Sequence, residues 1–112
     1  MAITITRASA SIGTTEYFLA SASTTATYQT TDTNLQVQLD FGAMAAGDQY
    51  KIAIYDKTDG TNAEAIYIAY VTGVQSEIWV SPPFTVGDWE CGVKRVAGTD
   101  RSILWSLVKI TA

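Results

Sequence analysis

The chain has 112 residues, 47% of them apolar and 16% charged, with a formal net charge of −4. One domain with a sizeable core fits that length, and disorder, which needs low hydrophobicity and high charge, is excluded. Seven basic side chains against eleven acidic ones argue against nucleic acid or an anionic membrane as partner, and the lack of histidine removes the commonest general base and metal ligand.

Weak strand signals come first, over Ala2 to Ala10 and Thr15 to Ala20. The opening Met1 to Arg7 has neither a basic n-region nor an apolar h-region, so we expect a soluble protein made in a cytoplasm. From Ser21 to Thr33, eight of thirteen residues are Ser or Thr, with a further weak strand signal over Thr24 to Thr30. This segment reads as an edge strand with its flanking loops, or as an extended arm that orders against a neighbouring subunit.

The dominant period then becomes two. Leu35, Val37, Leu39 and Phe41 alternate with Gln36, Gln38 and Asp40, the mark of a half-buried strand. Gly42 to Asp48 reads as a short connection with one helical turn through Ala43 to Ala46. Tyr50, Ile52 and Ile54 repeat the alternation, and Asp56 to Asn62 carries the hairpin dipeptide Asp59-Gly60. Ala65 to Val71 is apolar throughout and rich in β-branched and aromatic residues, which predicts a strand buried on both faces. Its seven residues cannot span a bilayer, which needs about 20. Glu77 to Ser81 is a strand stopped by Pro82-Pro83, because proline cannot donate to a ladder. Trp89 to Val96 and Ser102 to Ile110 form the last pair, linked by Gly98 to Arg101. About eight short strands predict an all-β antiparallel sandwich or small barrel of jelly-roll type in a single domain, with residues 1–10 as an arm or edge strand.

Groups able to do chemistry are few. A serine or cysteine nucleophile lacks a histidine base, and Cys91, alternating with Trp89 and Val93, reads as a core residue. A lone cysteine also excludes an intrachain disulfide. Asp88 and Glu90 stand i, i+2 on a strand, about 7 Å apart on one face, a spacing that inverting glycosidases tolerate and that exposed strand faces produce by chance. The loop Asp56 to Glu64 has oxygen ligands without EF-hand spacing and reads as a solvated turn. Gly42 and Gly47 lack the Lys-Ser/Thr of a phosphate loop. Trp79, Trp89 and Trp105 read as core anchors, with a sugar-stacking platform as the alternative, and Tyr55 and Tyr67 as a cross-strand pair. Lys94, Arg95 and Arg101 cluster around Asp100, as local ion pairs or as a contact for an acidic surface. No catalytic, cofactor-binding or metal-binding residue is assigned, and we expect a non-enzyme without a cofactor.

Four stretches carry a resemblance: Ile3 to Ser9, Leu39 to Tyr50, Val71 to Ser76 and Lys94 to Ile103. The chain resembles, over nearly its whole length, the small virion proteins of tailed bacteriophages, above all those of the capsid decoration or cement type. The resemblance implies a homotrimer on the outer capsid that binds the major capsid protein and stabilises contacts between its subunits. It transfers no site residues. The contact residues we expect come from the three candidate elements: Ile3, Ile5 and Arg7 at the start, Thr24, Thr25 and Tyr28 in the Ser/Thr segment, and Arg95, Asp100 and Arg101 at the last hairpin. The alternative is a tail, baseplate or fibre component, including a binder of host-surface carbohydrate.

Overall fold

The computed structural model describes Ala2 to Thr111. Its nine strands are β1 (Ala2–Ile12), β2 (Tyr17–Phe18), β3 (Thr33–Asp40), β4 (Gln49–Asp56), β5 (Glu64–Thr72), β6 (Trp79–Val80), β7 (Phe84–Val86), β8 (Trp89–Ala97) and β9 (Arg101–Thr111). They pair antiparallel in two sheets. One runs β1-β9-β3-β6, with β7 also on β3, and the other runs β2-β8-β4-β5. Counting β6 and β7 as one interrupted strand, this is the order of an eight-stranded jelly roll. The all-β sandwich expected from the period-two pattern is the fold observed.

The break between β6 and β7 has a clear cause. Both face β3, at Gln38/Leu39 and at Thr33 to Leu35. Between them, Ser81 N–H donates to Val37 O, and Ser81 Oγ accepts from Val37 N–H at 2.9 Å. Pro82 and Pro83 have no N–H to continue, so the ladder stops and resumes at Phe84.

The core lies between the sheets. Leu35, Val37 and Leu39 of β3, with Ile103, Trp105 and Leu107 of β9, face Tyr50, Ile52 and Ile54 of β4 and Trp89, Cys91 and Val93 of β8. All twelve are buried, as the alternation required.

Several expectations need correction. Residues 24–30 form no strand; only Gln29 bridges Trp89. The strand at Thr15 to Ala20 shrinks to β2, and that at Glu77 to Ser81 shrinks to β6. Ala43 to Ala46 forms turns closed by Met44 N–H to Phe41 O and Asp48 N–H to Ala45 O, not a helical turn. β5 is not buried on both faces. It is the last strand of its sheet, and its outer face carries Ile66, Ile68 and Tyr70 at 40%, 48% and 57% exposure.

Candidate interaction surfaces

β1 is an edge strand, not a detached arm. It pairs with β9 in unbroken register from Ala2↔Thr111 to Ile12↔Arg101. Ile3, Ile5 and Arg7 lie on the sheet's outer face, beside Ile110, Val108 and Ser106 of β9. Ile3 is 63% exposed, Ile5 46%, and Arg7 is exposed as well.

The Ser/Thr segment runs along the edge of β8. Tyr17 and Phe18 pair with Val93 and Gly92, Leu19 N–H donates to Cys91 O, and Gln29 and Trp89 exchange both backbone bonds. Residues 20–28 therefore bulge out of an otherwise continuous ladder. Glu90 closes the neck of this loop. Its Oε1 accepts Ala20 N–H and Cys91 N–H, each at 2.9 Å, and its Oε2 accepts the Ser21 hydroxyl. Ser21 Oγ also accepts Thr27 N–H, which ties the two arms of the loop together. Thr24 and Thr25 sit at the exposed tip. Tyr28 is half-buried, with the Lys57 ammonium 4.9 Å from its ring centre. Burial, aided by Glu90, Glu16 and Asp88, raises the Tyr28 phenol above its ordinary value.

The last hairpin is held by charge pairs of its own. Arg95 Nε lies 2.8 Å from Asp100 Oδ1, and Arg95 also donates to Gly98 O. Arg101 Nε donates to Asp48 Oδ2 at 2.8 Å. Asp48 is buried and further accepts Ala45 N–H and Thr99 N–H. These bonds, the Ala45 and Thr99 amides before the Arg101 guanidinium, hold its carboxyl down at about 2. Nearby, Tyr50 Oη donates to Ile12 O and accepts Arg101 N–H. Arg95 and Arg101 of the basic cluster are thus tied into the fold as local ion pairs.

The three candidate elements do not form one surface. Ile3 and Arg95/Arg101 stand near opposite ends of the long strands, about 30 Å apart by strand rise. The start of β1 does meet the end of the Ser/Thr segment: Thr4, Gln29, Thr31, Thr33, Trp89 and Lys109 line one pocket of about 270 Å³.

Most of the chemical groups singled out in the sequence are engaged internally. Glu90 is fully buried in its three hydrogen bonds, and Asp88 precedes β8, so the two do not form an open carboxylate pair. Burial, with Glu90 and Glu16 adding to it, pushes the Cys91 thiol far up, which suppresses the nucleophilic thiolate. In the 56–62 turn, Asp59 Oδ1 accepts Thr61 N–H and Asn62 N–H, and Asp56 Oδ1 accepts Gly87 and Asp88 N–H. The described residues hold no group of three or more His, Cys, Asp or Glu side chains placed to bind a metal. Trp89 and Trp105 are buried and Trp79 packs on Tyr67, so the tryptophans are core anchors. Tyr55 and Tyr67 do not pair. A bulge between Ile54 and Tyr55 sets Tyr67 opposite Ile54. Tyr67 then packs on Trp79 and Phe84, while Tyr55 donates to Glu16 Oε2 at 2.7 Å.

Besides the buried Asp48 that accepts from Arg101, two features escaped the sequence reading. One is the role of Glu90; a lone acid between Trp89 and Cys91 in an apolar run was the available signal. The other is the outer row Ile66, Ile68 and Tyr70, because a strand apolar at every position gives no clue to which face is covered. No family model, curated protein or solved structure matches the chain.

Proposed function

We propose that this chain is a non-enzymatic structural protein of a tailed-phage particle, and that it decorates the outer capsid by docking on the major capsid protein. The observation that carries the reading is the row Ile66, Ile68 and Tyr70, an apolar strip on the outer face of a sheet edge that no other described part of the chain covers. Contiguous exposed apolar surface on a soluble domain marks a protein contact. The jelly roll recurs in viral capsid domains, though also in lectins, so it adds support by analogy of fold alone. A cement protein acts by binding the assembled shell better than its dissociated parts, which shifts the equilibrium toward the intact particle.

The test is the copy number of this chain in purified particles, measured by quantitative mass spectrometry against the major capsid protein. A fixed ratio near one, or a large fraction of it, is expected. A handful of copies per particle would assign the chain to the tail or fibre, and absence from the particle would remove the reading. Capsids stripped of the chain should rebind the wild type and not Ile68→Lys.

A further inference from the structure

The sheet edges are treated very differently. β2 has two residues, and the loop pinned by Glu90 occupies the rest of that edge. β6 and β7 have two and three residues and are parted by Pro82-Pro83. β5 is kinked by its bulge. Short strands, proline, bulges and covering loops are the devices that keep an edge from adding another strand. β1 has none of them. It runs eleven residues in unbroken register, without proline or lysine, and its only charge is Arg7.

We infer that β1 pairs antiparallel with β1 of a second copy, about a two-fold axis at Ile5. An interface of this kind is self-complementary by symmetry. In this register Ile5 faces Ile5 of the copy. Because Val108 flanks Ile5, an apolar row Val108–Ile5–Ile5–Val108 crosses four strands of one continuous sheet. Thr4 faces Thr6 of the copy, a favourable cross-strand pair of β-branched hydroxyls. Ile3 faces Arg7 of the copy, whose aliphatic stem covers it while the guanidinium stays in water. The two Arg7 side chains then stand four positions apart along the strands, about 13 Å. An axis at Arg7 would set them face to face, which is destabilising. An axis at Thr4 would pair fewer residues.

Pairing Ala2 to Ala8 of each copy buries on the order of 800 Å² in total, below the roughly 1,200 Å² at which stable complexes begin and in the class of weak, transient contacts, so the dimer dissociates on dilution. This pair stands independently of the capsid reading, and it is a two-fold contact where the resemblance implies a trimer.

The experiment measures the mass of the full-length chain by sedimentation from micromolar to submillimolar concentration. A monomer–dimer equilibrium is expected. Ile5→Lys, at a half-exposed position, should remain folded by circular dichroism and monomeric throughout, while Ile68→Lys on β5 should dimerise like the wild type. Ile5→Cys should form a disulfide-linked dimer on mild oxidation and Ser9→Cys should not, since only residue 5 meets its own copy within disulfide reach. Cys91 is fully buried and takes no part. A monomer at the highest concentration, a trimer, a dimer lost in Ile68→Lys, or equal cross-linking of the two cysteine variants would each overturn the inference. Should Ile5→Lys fail to fold, the cysteine pair decides.

Discussion

Gly98 stands directly against Asp48. Gly98 has φ +92°, and a Cβ built there would meet the Asp48 carboxylate and, at 2.7 Å, the Asp48 Cα. The contact holds the β8–β9 hairpin on the 42–48 turn, where Asp48 collects its bonds from Ala45, Thr99 and Arg101. Only glycine satisfies both the backbone angle and the space.

Gly98→Ala should therefore destabilise the fold by about 3 kcal/mol, combining left-handed strain with a clash against backbone. Gly47→Ala is the comparison. Its φ is also positive, at +90°, but nothing lies within 4 Å of the added methyl. It should cost only about 1 kcal/mol, from strain alone. Urea denaturation of both variants checks the difference.

Asp48 should make stability fall in acid. Its folded value, about 2, lies below the roughly 3.9 of an unfolded aspartate, so the folded state favours the carboxylate. The stabilisation is fully present above about pH 4 and is lost as pH falls through 4 toward 2. Asp48→Asn should lower the melting temperature near neutrality, and its gap from the wild type should narrow below pH 4. Melting curves from pH 7 to pH 2 measure this; a constant gap would refute the assignment.

Glu90→Ala should release the 20–28 loop. The Ala20 and Cys91 amides and the Ser21 hydroxyl would lose their buried acceptor. Orphaned buried donors make a cost of about 3 kcal/mol reasonable for this cluster. Hydrogen exchange should quicken at Ala20 and Cys91 while Val37, bonded to Ser81, stays protected.

Cys91 should react with an aromatic disulfide reagent only when the chain unfolds. Burial and the neighbouring Glu90 keep the thiol protonated, and no solvent reaches it. The labelling rate of native protein should track its opening equilibrium and rise in the Glu90→Ala variant. Rapid stoichiometric labelling of the native wild type would contradict the buried placement.

The strand class of this protein is written in its period of two. Leu35, Val37 and Leu39, or Tyr50, Ile52 and Ile54, show by alternation alone that one face is covered, and the structure buries all six. Pro82-Pro83 likewise announce an interrupted ladder, because the missing N–H is a property of the residue itself. The core placement of Cys91 and of Trp89 and Trp105 was legible for the same reason.

Only the tertiary structure decided which apolar faces remained open. β5 is apolar on both faces, and its position at the end of a sheet leaves Ile66, Ile68 and Tyr70 outside. A one-residue bulge sent Tyr55 and Tyr67 to different neighbours. Glu90 found Ala20 across seventy positions of chain, and Arg101 found Asp48 across fifty-three. Alternation is a local property, set by backbone geometry within one strand. Sheet order and the partners of buried charges depend on which distant segments meet, and no local pattern encodes that meeting.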